Sequence, residues 1–440
     1  MTRKGDALAV ITHRVVNPSN YSMPYARRKS TVLRLFLQLS VVAVILVFSI
    51  SYSNFREAFT RNTKVPMFVN SQCICDKGID ITHRVSASQV ERENTASADL
   101  QKHRRYSSEV RHIAFLKVHK CASSTMLNIF YRFGYKRGLN FVLPIQGNYL
   151  HMTHQKGLIS VVPPPAMSGY DILCNHVTKF SKEQFSRYLP PDSKYIAIVR
   201  EPFQRMYSAF HYYRNVLHSP ILRQVTGLDP FKTYLNNITS LETMWGDHSY
   251  TNNKMARDFG FPTQDYKNIT KFKMYLETLD KQFHLVMVSE MFLESLVLLR
   301  RLLKWSMEDV IFLQINVHEH KHLTTNASSV NIEPFLALDR ILYDHCLTRL
   351  KEQIISEGPD FHKELQYFKD VNSRVTDLCS TKNTTKKLLP LKANEWHDDF
   401  TITLQDCAML RKPVISFLNF VRDIQTERIQ TFGANISYFQ

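Results

Sequence analysis

Two stretches of this sequence repeat one pattern, in which a short apolar run ends at a basic residue and a segment with helical spacing follows. The first run is HIAFLKV at residue 112, and the apolar residues after it are Met126, Leu127, Ile129, Phe130 and Phe133. The second is YIAIVREPFQRMYSAFHYYR at residues 195–214, and a third apolar run, FHLVMVSE, begins at residue 283. Short buried strands that alternate with helices are typical of an α/β fold. We therefore predict a central parallel sheet flanked by helices.

The turn after the first run, HKCASST at residues 119–125, has the composition of an anion-binding site. The first N–H groups of the predicted helix and the hydroxyls of residues 123–125 are expected to converge on one point, beside the ammonium of Lys120. A Walker loop needs glycines, and there is none between Arg111 and Phe133. The turn is therefore predicted to bind a phosphate-like group without NTP hydrolysis. Taken alone, the stretch also fits a serine-rich helix start with incidental basic residues.

The second stretch predicts another anion site at the end of its own strand. Arg200 ends the apolar run, Pro202 suits a first helical turn, and Ser208 follows on the helix. Arg200 and Ser208 are placed to bind a second phosphate. Two such sites on adjacent strands suit a ligand that carries anions at both ends, such as 3′-phosphoadenosine 5′-phosphosulfate (PAPS).

The charge of the chain agrees with an anionic ligand but does not identify it. The formal net charge is +17 at pH 7 over 440 residues. Nucleic acid, a phosphate-bearing cofactor and an acidic membrane surface all suit such a balance. With 44% hydrophobic residues, the chain is rich enough in apolar side chains to bury a large core.

The N-terminal part predicts a membrane anchor. Residues 35–52, LFLQLSVVAVILVFSISY, carry no charge and follow the basic residues Arg27, Arg28, Lys29 and Arg34. We expect a cytoplasmic tail at 1–34, a transmembrane signal anchor at 35–52, a polar stem at 53–108 and a lumenal catalytic domain at 109–440. A cleavable signal peptide is disfavoured because no small-residue cleavage site follows the apolar run. A buried core helix is the other reading of this run.

Two further features suit an oxidising lumen. Glycosylation sequons lie at Asn237, Asn268, Asn326, Asn383 and Asn435. The seven cysteines are enough for one or two disulfides, and their odd number leaves at least one without a partner in the same chain.

The sequence resembles a known enzyme family at four places. HKCASSTMLNIFYRFG is similar to the 5′-phosphosulfate loop of the galactose-3-O-sulfotransferases, and IAIVREPFQRMYSAFHYY to their 3′-phosphate segment. CNHV at 174–177 and FHLVMVSEMFLESLVLLRRLLKWSMEDV at 283–310 also match. The resemblance implies a P-loop-like sulfotransferase fold, type II Golgi membrane topology, and PAPS-dependent transfer to the 3-hydroxyl of a terminal galactose. The acceptor is a glycolipid or a glycoprotein glycan.

The resemblance also assigns roles to residues. It implies a cofactor site made by Lys117, Lys120, Cys121, Ala122, Ser123, Ser124, Thr125, Arg200 and Ser208. Lys120 is expected to neutralise charge, His119 to act as the general base, and His176 to be the alternative base. Cys121 stands where the family has threonine and Glu201 where it has aspartate, and Cys121 is expected to make the loop sensitive to thiol reagents.

Other expectations follow from the resemblance or stay open beside it. Cys379 and Cys407 resemble a cysteine pair of the family, which implies a disulfide between them. No metal is implied, because sulfuryl transfer needs none and the histidines lack paired ligand spacing. No nucleic-acid partner is implied, and a homodimer is possible. A sulfotransferase for another glycan, such as a glycosaminoglycan, and an inactive lumenal glycan-binding protein are the alternatives.

Overall fold

A computed structural model describes residues 109–150, 161–313, 331–380 and 387–439. The predicted tail, anchor and stem lie outside these residues, as do the sequons at Asn326 and Asn383. Over the ranges just given, no helix is both long enough and apolar enough to cross a bilayer.

The described strands and helices alternate along the first half of the domain, and helices dominate the second half. In chain order the strands are β1 (Ile113–Leu116), β2 (Leu143–Pro144), β3 (Tyr149–Leu150), β4 (Val161–Val162), β5 (Ile172–Leu173), β6 (His176–Val177), β7 (Lys194–Val199), β8 (Leu285–Val288), β9 (Leu388–Leu391) and β10 (Phe400–Thr403). The α-helices are α1 (Ser123–Lys136), α2 (Lys182–Ser186), α3 (Pro202–His211), α4 (Pro220–Arg223), α5 (Pro230–Asn236), α6 (Ile238–Trp245), α7 (Lys254–Asp258), α8 (Ile269–Gln282), α9 (Phe292–Leu303), α10 (Met307–Val310), α11 (Ala337–Ser356), α12 (Asp360–Ser380), α13 (Leu404–Leu410) and α14 (Val414–Phe432).

The predicted parallel sheet is present. Its strand order is β5-β1-β7-β8, and every neighbouring pair is parallel. All four residues of β1 are buried, as expected for a strand covered on both faces. Helix α1 packs on this strand through the rings of Phe115 and Phe130, whose centroids are 4.9 Å apart. Because β1 and β7 are direct neighbours, the two predicted anion-binding turns lie side by side at the carboxyl edge of the sheet.

A second apolar core lies beyond the end of β7. It is built by α3, α5 and α6 from buried residues that include Phe203, Met206, Phe210, Tyr234 and Trp245. Between α3 and α4 the chain forms a π-helical turn, Tyr212–Val216. Such turns are rare and are found most often at functional sites. This one places the Tyr212 ring beside Lys120, at the carboxyl edge of the sheet.

A disulfide links two of the C-terminal helices, α12 and α13. Cys379 at the end of α12 is bonded to Cys407 in α13, with Cα atoms 5.3 Å apart. This confirms the disulfide that the family resemblance implied. The other cysteines in the described part of the chain, Cys121, Cys174 and Cys346, are buried free thiols.

Candidate active site

The loop between β1 and α1 turns sharply without any glycine. Lys120 and Ala122 both adopt the left-handed conformation, with φ of 65° and 54°. This conformation is uncommon for residues with a Cβ, and each instance costs on the order of 1 kcal/mol or more. The turn brings α1 to begin at Ser123, so that the first N–H groups of the helix face the end of the sheet. Strain at this position is typical of a loop shaped for a ligand.

The hydroxyls after the loop do not converge on one point as the sequence suggested. Ser123 is buried, and its hydroxyl donates to the carbonyl of Val118 at 3.0 Å and accepts from Nζ of Lys117 at 3.3 Å. Ser124 is exposed and Thr125 is half-buried. Ser123 therefore orients the Lys117 ammonium, and only Ser124 and Thr125 present hydroxyls toward the surface.

Three cationic side chains come from the ends of the two neighbouring strands. Nζ of Lys120 lies 3.7 Å from the centroid of the Tyr212 ring, on the π-helical turn. Arg200 donates from Nη1 to the carbonyl oxygen of Lys120 at 3.2 Å, which joins the two turns. Burial lowers the pKa of Lys117 to about 7, with a further contribution from the charge of Lys120. Burial, together with the charge of Arg200, lowers the pKa of Lys120 to about 8.

The second turn is fixed by its own capping interactions. Glu201 precedes α3 and accepts from the backbone N–H groups of Phe203 and Gln204, while Pro202 occupies the first helical position as predicted. The replacement of aspartate by Glu201 therefore keeps a helix-capping carboxylate. Ser208 lies in the second turn of α3 and is half-buried.

His119 lies in the loop between a carboxylate and a phenol. Its Nδ1 is 2.8 Å from Oδ2 of Asp258, and that same oxygen accepts from the His119 backbone N–H at 3.0 Å. Its Nε2 is 2.7 Å from the hydroxyl of Tyr149. Burial lowers the pKa of His119 below its ordinary value, although Asp258 opposes this. The imidazole is therefore neutral at pH 7, with its proton on Nδ1 and its lone pair on Nε2.

Asp258 is held ionised by its surroundings. Burial alone would raise the pKa of this carboxyl, but His119 and the ammonium of Lys254 outweigh burial and hold the pKa below its usual range. Lys254 forms an ion pair with Asp258 one helical turn away on α7. The start of that short helix is fixed because Asp339 of α11 accepts from the N–H groups of Met255 and Ala256.

The fully buried Arg205 supports the same region. Its guanidinium donates to the carbonyls of Tyr250 and Thr251, and its Nε lies 3.8 Å from Asp339. Arg205 on α3 therefore links the turn after β7 to the segment that carries Asp258. No motif in the sequence indicated this role.

His176, the alternative base, lies next to His119. Strand β6 pairs with β3, so that His176 is opposite Tyr149, and the two rings stack with centroids 4.9 Å apart. The His119 and His176 rings are 4.8 Å apart. Burial, followed by the charges of Lys117 and His119, strongly lowers the pKa of His176. Its Nδ1 is buried and has no hydrogen-bond partner among the described residues. Both histidines predicted from the sequence therefore belong to one cluster.

The expectation for the Cys121 thiol is wrong. Cys121 is completely buried, with Sγ 3.7 Å from Sδ of Met255, and burial raises the pKa of its thiol well above the ordinary value. A protonated, inaccessible thiol does not react readily with thiol reagents. Cys121 and Ala122 can contribute to a ligand site through their backbone, since Cys121 packs inward and Ala122 has only a methyl group.

These residues fit a donor that carries a phosphosulfate and a separate phosphate. Lys117, just before the strained loop, and Lys120, within it, have pKa values lowered by burial and by a neighbouring cation. A bound anion would stabilise the charged form of both lysines. Arg200 lies on the adjacent strand end, where a second anion of the same ligand is expected. In the part of the chain that the structure describes, no group of three His, Cys, Asp or Glu side chains is placed to hold a metal ion.

Comparisons with known proteins point to one family. The family model described as Galactose-3-O-sulfotransferase matches residues 25–393. The chain is 29% identical to galactose-3-O-sulfotransferase 2 of Mus musculus over 72% of its own length and 86% of that protein. It is 32% identical to the Homo sapiens protein of the same name over 57% of the chain and 63% of that protein. It is 29% identical to galactosylceramide sulfotransferase of Bos taurus, over 61% of the chain and 64% of that protein. No solved structure matches the chain.

Proposed function

Since the chain belongs to the galactose-3-O-sulfotransferase family, whose members are enzymes, we propose that it transfers a sulfuryl group from PAPS to the 3-hydroxyl of a terminal galactose. The observation that carries the proposal is the carboxyl edge of the sheet. There the cations of two adjacent strand ends lie beside a histidine that is hydrogen-bonded to a buried carboxylate. This edge supplies both an anion site and a base.

The residues for the donor divide between the two turns. Lys117, Lys120 and the first N–H groups of α1 would hold the phosphosulfate, and Ser124 and Thr125 can donate hydroxyls to it. Arg200 and Ser208 would hold the 3′-phosphate. When bound, PAPS supplies a sulfuryl group whose transfer places negative charge on the oxygen bridging to the 5′-phosphate. Lys120 is the side chain assigned to neutralise that charge.

His119 is assigned to remove the proton of the attacking hydroxyl. Its Nε2 carries the lone pair because Asp258 holds the proton on Nδ1. The carboxylate also stabilises the imidazolium that forms when Nε2 gains a proton. Among the described residues His176 has no such carboxylate partner, which favours His119 as the base.

The acceptor and the location complete the proposal. Two relatives are named for galactose and one for galactosylceramide, so a terminal galactose on a glycolipid or glycoprotein glycan is the proposed acceptor. A Golgi membrane protein anchored by residues 35–52, with its catalytic domain in the lumen, suits the confirmed disulfide. The sequons at Asn237 and Asn268 are exposed, which also suits the lumen.

The test is transfer by the full chain in detergent from PAPS labelled in its sulfuryl group. The acceptors are galactosylceramide, a soluble β-galactoside and chondroitin, and linkage analysis identifies the product. We expect label on the 3-hydroxyl of galactose. Label only on chondroitin would favour a glycosaminoglycan enzyme. Binding of adenosine 3′,5′-bisphosphate without transfer to any acceptor would favour an inactive glycan-binding protein.

Arg200→Ala is expected to remove the preference of the protein for a 3′-phosphate. A charged hydrogen bond contributes about 1.5 to 3 kcal/mol, so adenosine 3′,5′-bisphosphate should bind roughly 10- to 150-fold more weakly. Calorimetry with this nucleotide and with adenosine 5′-phosphate measures the preference. Arg187→Ala, which removes an exposed arginine at the C-terminal end of α2, is the control. A preference that survives in Arg200→Ala would contradict the assignment, even if loosening of the loop weakened both nucleotides.

The affinity for adenosine 3′,5′-bisphosphate is expected to fall as the pH rises from 6.5 to 9. Lys117 and Lys120 have pKa values of about 7 and about 8 without ligand, and a bound anion raises both. Binding therefore takes up protons, is strongest where both lysines are already charged, and weakens as the pH passes through these values. Calorimetry in buffers of different ionisation enthalpy counts the protons taken up. Lys117→Met and Lys120→Met should each weaken the pH dependence of the affinity. An affinity of the unaltered protein that stayed constant from pH 6.5 to 9 would refute the prediction.

A further inference from the structure

The proposed base is not directly accessible in this structure. His119 is only 6% exposed, and both ring nitrogens have partners. Nε2, the atom with the lone pair, is hydrogen-bonded to the hydroxyl of Tyr149, which is itself partly exposed. Of these two hydrogen-bonded side chains, Tyr149 is the more exposed to solvent.

Several contacts hold Tyr149 in this position. Its backbone pairs with His176 between β3 and β6, and its ring stacks on the His176 ring with an interplanar angle of 10°. Burial, followed by the charge of Asp258, raises the pKa of Tyr149 to about 12. The phenol is therefore protonated at neutral pH and donates its hydrogen to Nε2 of His119. Displacing it would break the stacking and a short hydrogen bond.

We propose that Tyr149 is a catalytic residue that passes the proton of the acceptor hydroxyl to His119. The inference rests on the proposed sulfuryl transfer. The O–H bond of the acceptor breaks, and its proton goes to the phenolic oxygen of Tyr149 while the phenolic proton goes to Nε2 of His119. The electron pair left on the acceptor oxygen forms the new bond to sulfur. The bond from sulfur to the oxygen that bridges to the 5′-phosphate breaks, and its electron pair would leave with adenosine 3′,5′-bisphosphate. Tyr149 ends the step as a neutral phenol, and Asp258 stabilises the imidazolium.

The relay gives the acceptor a path to a buried base. Burial disfavours the imidazolium and Asp258 opposes this effect, but a sugar cannot reach an imidazole that is enclosed. A phenol has one donor and one acceptor function on the same oxygen, so it can bridge the two without a net change of charge. His176 supports the bridge by stacking on the phenol ring.

Tyr149→Phe tests the relay, because it removes the hydroxyl and keeps the ring that stacks on His176. We expect turnover to fall about 10²- to 10⁴-fold, the usual loss for general base catalysis. The double variant with His119→Ala should be no slower than the slower single variant, because both residues act on one proton. Affinity for adenosine 3′,5′-bisphosphate should stay unchanged. Tyr367→Phe is the matched control, since the hydroxyl of this tyrosine on α12 lies 2.8 Å from Nε2 of His397 and its ring stacks on that imidazole, and it should keep normal turnover.

A measurement without turnover checks the hydrogen bond itself. ¹⁵N NMR of histidine-labelled protein should show His119 with its proton on Nδ1. Tyr149→Phe should shift the Nε2 resonance and raise the pKa of His119, because a donor to the neutral imidazole favours the neutral form. An unchanged Nε2 resonance would overturn the proposal.

The remaining outcomes separate the relay from the proposed function. If the unaltered protein transfers sulfuryl groups and Tyr149→Phe is equally fast or faster, the acceptor displaces Tyr149, and the relay is wrong while the function stands. If the unaltered protein transfers to no galactoside, the function and the relay are both overturned.

Discussion

His119→Ala is expected to reduce turnover by about 10²- to 10⁴-fold while leaving the affinity for adenosine 3′,5′-bisphosphate nearly unchanged. The imidazole is the proposed proton acceptor, whereas the cations of Lys117, Lys120 and Arg200 hold the nucleotide. Since burial lowers the pKa of His119 below its ordinary value of 6.5, the rate of the unaltered enzyme should fall only below that pH. His119→Ala should lose this acidic limb. Single-turnover rates across pH 4.5 to 8 measure both effects.

Two other histidines provide the comparison. His345→Ala removes a histidine that also contacts an aspartate, Asp280 at 2.8 Å, but lies on α11, and it should leave turnover normal. His176→Ala should have a smaller effect than His119→Ala, because His176 stacks on the relay without holding a carboxylate. If His176→Ala abolished turnover with nucleotide still bound and His119→Ala stayed near normal, the base would be His176.

The sheet and the two turns at its carboxyl edge were predictable because their signals are local. A buried parallel strand appears as a short apolar run, and the helix after it appears as apolar residues at helical spacing. The sequence predicted strands at HIAFLKV, YIAIVR and FHLVMVSE. Strands β1 and β8 lie within the first and third of these runs, and β7 begins one residue before the second. Pro202 was likewise found at the first position of α3. In each case the determining residues are close together in the chain.

The hydrogen-bond partners of His119 could not be predicted, because they are distant from it in the chain. Asp258 is 139 residues away in the chain and Tyr149 is 30 residues away, and neither lies in a pattern specific to catalysis. Lys254 and Asp258 have a spacing that most often marks an exposed helical ion pair. Only the packing of α7 against α11, fixed by Asp339, brings the carboxylate to the loop.

The loop also shows why a hydroxyl in a motif does not define its role. Ser123, Ser124 and Thr125 are adjacent, but the left-handed residues Lys120 and Ala122 rotate the start of α1 so that Ser123 faces inward. The Ser123 hydroxyl then accepts a hydrogen bond from Lys117, whose buried ammonium would otherwise have fewer hydrogen bonds. The residue types alone did not indicate this backbone conformation.

Lys120→Ala is expected to lower turnover by about a hundredfold or more and also to weaken adenosine 3′,5′-bisphosphate binding. Affinity falls because the ammonium faces negative charge that the bound nucleotide already carries. Turnover falls because negative charge increases on the bridging oxygen during transfer. Its contact with Tyr212 and the carbonyl link to Arg200 fix its position. Stopped-flow turnover and nucleotide calorimetry measure the two effects separately.

Lys182→Ala is the matched control for Lys120→Ala, since Lys182 also lies over an aromatic ring, 3.2 Å from the centroid of Tyr195, but on α2. It should change neither quantity. Lys120→Arg should recover most of the nucleotide affinity and less of the rate, because guanidinium keeps the charge while its planar geometry differs from that of ammonium. A Lys120→Ala variant that weakens the nucleotide but keeps its turnover at saturation would show that Lys120 binds the ground state only. Lys117, the other lysine at this turn, would then be assigned to neutralise the charge that develops in the transition state.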